Sequence, residues 1–207
     1  MTSSAPESTS SRAEPPVLVF FTGWSGAGKS TLARTVAARR AWPLLAKDEI
    51  KEPLFAALGV RDRAWSKTLS AAAYAVMFAL ARRHLGSGLS VVLEGNFEAA
   101  AAGTLDELVA DTHAAALQVH CRADPALLLA RFERRMAEGV RHPGHDDAAL
   151  LAEQRELHAN GRQEPLATQA RLLALDTGAL EDSPYARAAL TATVYAALDV
   201  LAASARR

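Results

Sequence analysis

The stretch VLVFFTGWSGAGKST, Val17 to Thr31, decides the fold. Val17–Thr22 is β-branched, apolar and aromatic, a short run that predicts a strand buried on both faces. Gly23 to Ser30 then match G-x-x-x-x-G-K-[ST] in full. Gly23, Gly26 and Gly28 let the backbone wrap tightly, so that N–H groups from Ser25, Ala27 and their neighbours through Thr31 converge on a phosphate. A helix opening near Lys29 adds the positive end of its dipole to the same point. Lys29 reaches the β- and γ-phosphates, and the Ser30 hydroxyl is the ligand type that Mg²⁺ takes. A Gly-rich turn with an incidental lysine would leave the strand–loop–helix context unexplained. The motif therefore predicts a nucleotide site that takes ATP and Mg²⁺.

Working outward, short apolar runs alternate with longer helical patterns. Strands are predicted at 43–46, 89–93 (LSVVL), 116–121 (ALQVHC) and 171–175 (RLLAL). Helices are predicted at 31–40, 53–58, 65–85, 125–138, 150–160 and 183–203. Strands separated by helices build βαβ units, which implies an α/β fold with a central parallel sheet between helical layers. Residues 1–16 (MTSSAPESTSSRAEPP) have no apolar face and no signal-peptide core, and read as a disordered leader before one domain over 17–207.

Composition narrows the function. Lys+Arg and Asp+Glu both number 23, so the formal net charge is zero and the basic surplus of most nucleic-acid binders is missing. One cysteine, Cys121, excludes an internal disulfide and a cysteine-cluster zinc site, and with no signal sequence the reading is cytoplasmic. The apolar run Ala71–Ala81 is about half the ~20 residues needed to span a bilayer, so no membrane partner is expected from it. The guanine-reading N-K-x-D motif is absent, and no apolar strand ends in Asp-Glu as in motor ATPases. A compact phosphotransferase remains.

Around Lys47–Glu52 (KDEIKE), Val92–Phe97 (VLEGNF) and the arginine-rich stretch Arg131–Arg141, the chain resembles a family of small P-loop kinases. That family includes chloramphenicol phosphotransferase-like enzymes and the kinase domain of polynucleotide kinases. The resemblance spans roughly 17–177 and implies a P-loop NTPase three-layer sandwich with the P-loop strand central. It also implies an arginine-bearing helical lid, here about 125–147. In that family an acidic residue after the second strand deprotonates the acceptor hydroxyl, and Asp48 holds that position. By the same resemblance Arg131 or Arg134 lies near the base, and Arg135 and Arg141 lie near the transferring phosphate.

The residues fit those roles on chemical grounds. A carboxylate at the carboxyl edge of the strand beside the P-loop strand faces the γ-phosphate position, although Asp48 also precedes a helix, where Asp is a common N-cap. Lys47 and Lys51 flank it and orient phosphate or substrate, or are solvated. Glu94 ends the third strand and either holds a magnesium-bound water, contacts the acceptor or is a polar strand end. Asn96 and Phe97 line an acceptor pocket in this reading, and Trp65 and Tyr74 frame it or pack in the core. Arg131, Arg134 and Arg135 are spaced i, i+3 and i+4, so one helix face can carry all three; a solvated face is the bland alternative. His142, His145, Asp146 and Asp147 lack a helix to set metal geometry and read as a lid loop or an acceptor-binding element. Cys121 reads as a small buried hydrophobe.

Three functions compete. The first is a kinase moving the γ-phosphate of ATP to a hydroxyl of a small molecule such as an antibiotic, a nucleoside or a sugar. The second is a polynucleotide 5′-hydroxyl kinase, which needs a basic groove that the balanced charge does not advertise. The third is a nucleotide-binding regulatory ATPase with no acceptor. Oligomeric state is not legible in the sequence.

Overall fold

A computed structural model describes residues 14–139 and 141–205, so most of the leader expected over 1–16 lies outside the described residues. Five strands, β1 (Val17–Thr22), β2 (Leu44–Ala46), β3 (Val91–Glu94), β4 (Ala115–Arg122) and β5 (Arg171–Asp176), form one sheet in the order β2-β3-β1-β4-β5. Every pairing is parallel, and β1 is central. The helices are α1 (Lys29–Arg40), α2 (Lys47–Leu58), α3 (Arg63–Gly86), α4 (Ala101–Thr112), α5 (Pro125–Ala137), α6 (Asp147–Asn160) and α7 (Pro184–Ala205). A 3₁₀ turn, Pro143–His145, lies between α5 and α6 in the chain.

The two-residue period of β1 builds both cores. Leu18 and Phe20 point to one face and pack with Met77, Ala81 and Leu85 of α3 and Leu105 and Leu108 of α4. Val19 and Phe21 point to the other and pack with Leu32 and Val36 of α1 and Val194, Tyr195 and Leu198 of α7. Cys121 lies in this second core, and burial pushes its thiol up to about 12. The stretch Pro184–Ser204 in α7 is long and apolar enough to cross a membrane by length and composition, and here it covers β4, β5 and α1.

Two helices depart from the sequence expectation. α2 begins at Lys47, and Pro53, which reads as a first-turn proline, sits inside it. Its N-cap is Ala46 without a side-chain cap bond, so Asp48 lies in the first turn and caps nothing. An acidic residue there still suits the positive helix end. α4 has no counterpart in the expected elements. Leu105, Leu108 and Val109 have the i, i+3, i+4 spacing of a helix, but only Leu105 and Leu108 are buried and the run covers little more than one turn, too short to mark the helix in the sequence.

Candidate functional site

The carboxyl ends of β1, β2 and β3 present their next residues at one edge of the sheet. β1 runs into the P-loop, β2 into Lys47 and Asp48, and Glu94 ends β3 opposite both Phe21 and Ala46. Gly23 has φ +125°, and a Cβ there would stand 2.0 Å from the Cys121 carbonyl oxygen, so no larger residue fits. Gly28 adopts the left-handed region at φ 74° and turns the chain into α1. Ala27 is fully buried beneath the loop, whereas Ser25, Gly26, Gly28, Lys29, Ser30 and Thr31 line a cleft of about 570 Å³.

Lys29 donates from Nζ to the Trp24 carbonyl at 2.8 Å, which curls its side chain over the loop. Burial lowers its pKa while Glu94 pulls it back up. Burial raises the pKa of Glu94 in turn, and Lys29 and the Ser30 hydroxyl oppose that rise. Lys29, Ser30 and Glu94 thus form one electrostatic unit at the mouth of the P-loop. A hydroxyl and a carboxylate are hard oxygen donors, the set that suits Mg²⁺.

Asp48 lines the same cleft with its side chain 38% exposed. Its Oδ1 forms an ion pair with Lys47 Nζ at 2.6 Å, and its Oδ2 accepts from Arg141 Nη2 at 2.9 Å. Burial alone would raise its pKa, but Lys47, Arg141 and His145 outweigh that and hold the carboxyl well below the usual carboxylate range. Asp48 is therefore ionised at neutral pH.

The lid arginines divide. Arg131 is 5% exposed and donates to the carbonyls of Thr177, Gly178 and Gly26 at 3.2, 2.7 and 3.5 Å, bracing α5 against the P-loop and the segment after β5. Arg134 pairs with Glu181, and both line the P-loop cleft. Arg135 crosses the Phe132 ring at 5.6 Å and lines the cleft, its Nε without a hydrogen-bond partner among the described residues. Burial and the neighbouring Arg141 lower its pKa. Arg141 bridges Asp48 and Asp147. One helical face thus brings three arginines to the cleft, Arg131 as a brace, Arg134 in an ion pair and Arg135 against the Phe132 ring.

A second cleft of about 820 Å³ opens beside the first, and the two share Ser25, Asn96 and Arg141. Asn96 Nδ2 donates to Ser25 Oγ at 3.2 Å, tying the turn after β3 to the P-loop. One wall is aromatic: Phe97 lies 5.5 Å from Tyr74 and 6.2 Å from Phe78. The Tyr74 hydroxyl is buried without a hydrogen-bond partner among the described residues. Lys47, Lys51, Arg63 and Lys67 also line this cleft. Trp65 lines neither cleft; its indole donates to the Gly59 carbonyl at 3.0 Å and closes the α2–α3 turn.

Lys51 is 2% exposed and donates to Ser66 Oγ at 2.7 Å, which in turn donates to the Gly144 carbonyl at 3.0 Å. Burial, with Lys47 adding to it, lowers its pKa to about 8. The chain Lys51–Ser66–Gly144 pins the HPGH turn onto α2 and α3. Sequence reading does not foresee the consequence, which is that His145 and Glu52 join Asp48. His145 Nδ1 lies 3.9 Å from Asp48 Oδ1, and its Nε2 lies 3.1 Å from Glu52 Oε1. The i, i+4 spacing of Asp48 and Glu52 is the one signal available in the sequence.

Sheet order, P-loop and clefts define a nucleotide-binding P-loop protein with the fold of small kinases. The model of the AAA domain family matches residues 18–160, and the chain belongs to that family. A candidate kinase from Chloroflexus aurantiacus is similar at 32% identity, with 87% of this chain and 98% of that one covered and a TM-score of 0.76. A shikimate kinase from Bacteroides thetaiotaomicron shares 18% identity over 88% of this chain and 98% of its own, with a TM-score of 0.51. A sugar kinase from Janibacter shares 17% over 91% and 98%, with a TM-score of 0.54. These last two show the common fold alone. No curated protein matches the chain.

Proposed function

We propose that the protein is a kinase that transfers the γ-phosphate of ATP to a hydroxyl group of a small molecule in the cytoplasm. The observation that carries this reading is the junction of two clefts. The P-loop cleft meets a partly aromatic cleft at Ser25, Asn96 and Arg141, and Asp48 stands at that junction. A hydrolase needs room only for water, whereas a second cleft of about 820 Å³ suits an organic acceptor.

The residues divide the work. The P-loop amides, from Ser25 to Thr31, and Lys29 bind the phosphates and neutralise charge that develops on them. Ser30 and Glu94 would hold Mg²⁺, which would supply charge neutralisation at the phosphate oxygens. Asp48 accepts a hydrogen bond from the acceptor hydroxyl and orients its oxygen in line with the phosphorus. Arg135 faces the transferring group from the lid, and Arg141 joins it as its bond to Asp48 gives way to the acceptor. Lys51, Asn96 and the Tyr74–Phe97 wall seat the acceptor's body. The candidate kinase from Chloroflexus aurantiacus agrees with this reading.

The test is transfer of labelled γ-phosphate from ATP to nucleosides, sugars, chloramphenicol, aminoglycosides and oligonucleotides. Label in one small-molecule product supports the reading. Slow release of inorganic phosphate that no added hydroxyl compound alters would overturn it in favour of a regulatory ATPase, and label on oligonucleotides alone would favour a polynucleotide kinase.

A further inference from the structure

Asp48 poses a chemical problem for the reaction proposed above. A carboxylate held this far below its usual range orients a hydroxyl well but does not keep the proton it receives. The proton needs a second resting place, and the turn that follows the lid helix supplies one.

His145 is 3% exposed and fixed from three sides. Its ring meets Phe55 edge-on at 5.7 Å. Gly144 packs so tightly on Phe55 that a Cβ there would stand 2.6 Å from the ring, and its carbonyl is held by Ser66. Nε2 is 3.1 Å from Glu52 Oε1, and since a carboxylate only accepts, Nε2 carries the hydrogen. In the neutral ring Nδ1 then has a free lone pair, and it faces Asp48 Oδ1 at 3.9 Å. Glu52, His145 and Asp48 thus stand as carboxylate, imidazole, carboxylate, with the last reaching the transfer site.

We propose that His145 is a positioning residue that orients Asp48 and receives, through it, the proton leaving the acceptor hydroxyl. The inference rests on the kinase reading above. As the acceptor oxygen bonds to the γ-phosphorus and the bond from that phosphorus to the bridging oxygen breaks, the hydroxyl proton passes to Asp48 Oδ1. It passes on to His145 Nδ1, which faces Oδ1 across 3.9 Å, as rotation of the partly exposed Asp48 carboxylate brings the two into hydrogen-bond reach. The resulting imidazolium lies between the carboxylates of Asp48 and Glu52, and gives its proton to solvent as the product leaves.

The charged groups around His145 set its pH behaviour. Burial pushes the ring below its ordinary 6.5; Asp48 and Glu52 pull it up, and Arg141 and Lys47 push it down, for a net lowering. The ring is therefore neutral and ready to accept at pH 7. Below its midpoint it is already protonated, so turnover falls as pH falls.

Nitrogen-labelled histidine NMR on the full chain tests the geometry without turnover. The expected result is an Nε2–H tautomer at pH 7 with a midpoint below 6.5, which drops further in Asp48→Asn. An Nδ1–H tautomer, or a midpoint indifferent to Asp48→Asn, would overturn the proposal. The second arm follows kcat for phosphate transfer against pH. His145→Gln keeps a donor for Glu52 and should lose the acid limb, with kcat down by roughly 10–100-fold, the scale for supporting residues, and KM for ATP unchanged. A variant that loses only melting temperature and keeps the limb would reduce His145 to a structural residue. Wild-type protein that moves no phosphate to any alcohol overturns the kinase reading and with it the relay. The tautomer is read independently, so the two failures are distinguishable.

Discussion

Replacing Asp48 by Asn removes one charge and keeps the shape. The cost to stability is bounded by what Asp48 touches. It pairs with Lys47 at 2.6 Å and Arg141 at 2.9 Å, and its side chain is 38% exposed. Exposed ion pairs are worth about 0–1 kcal/mol and breaking a buried one costs about 3–5 kcal/mol; with Lys47 14% and Arg141 17% exposed, the loss falls between, at about 1–3 kcal/mol. Asp48 caps no helix end, and no cap bond is lost. At about 2–4 °C per kcal/mol for a chain of this size, the melting temperature should fall by less than about 12 °C. The effect on catalysis should be larger. A neutral amide cannot take the hydroxyl proton, and loss of a positioned base costs roughly 10²–10⁴ in rate, or about 2.7–5.5 kcal/mol. Nucleotide affinity should stay the same or tighten, because a carboxylate facing phosphate repels it. The assay pairs kcat for transfer with a calorimetric Kd for ATP and a thermal melt. Turnover within a few-fold of the parent, in a folded variant, would refute the role of Asp48 and move suspicion to Glu94.

Lys29→Ala should lower transfer by about 10²–10³, the cost of losing one group that meets developing charge, with circular dichroism unchanged; near-normal turnover would remove the P-loop lysine from the mechanism. Lys51 binds its proton less tightly in the fold, at about 8, than the free side chain does at 10.5, so the unfolded chain holds more protons between those values. Stability should therefore rise with pH from about 8 to 10.5, and Lys51→Met should be more stable at neutral pH and lose that rise in a series of melts; a rise that persists in the variant would show that another group causes it. Gly144→Ala drives a Cβ to 2.6 Å from the buried Phe55 ring and should destabilise by about 1–3 kcal/mol, read as a lower melting temperature together with a lower kcat, since His145 moves with the turn.

Much of the fold is legible in residues 17–31 alone. A continuous apolar run, three glycines, a lysine and a serine leave few alternatives to a buried central strand feeding a phosphate-binding helix. α4 escapes because its apolar residues Leu105, Leu108 and Val109 span little more than one turn, and only the core reveals that Leu105 and Leu108 matter. The start of α2 escapes because Pro53 looks like a beginning, yet tertiary packing of Phe55 and Lys51 holds the proline inside the helix. Among the arginines, the i, i+3, i+4 spacing places three side chains on one face but does not say where each guanidinium ends. All three line the cleft, but carbonyls after β5 take Arg131, Glu181 takes Arg134, and Arg135 keeps an Nε without a partner among the described residues.

The sequence by itself thus determined the nucleotide site, because phosphate binding is local: loop, lysine, hydroxyl and helix end are contiguous in the chain. The acceptor cleft and the setting of Asp48 were decided only by tertiary structure. Asp48, Glu52, Ser66, Gly144 and His145 come from three separate segments. The fields that hold Asp48 ionised arise between groups that are adjacent in space and, for Arg141 and His145, more than 90 residues apart along the chain.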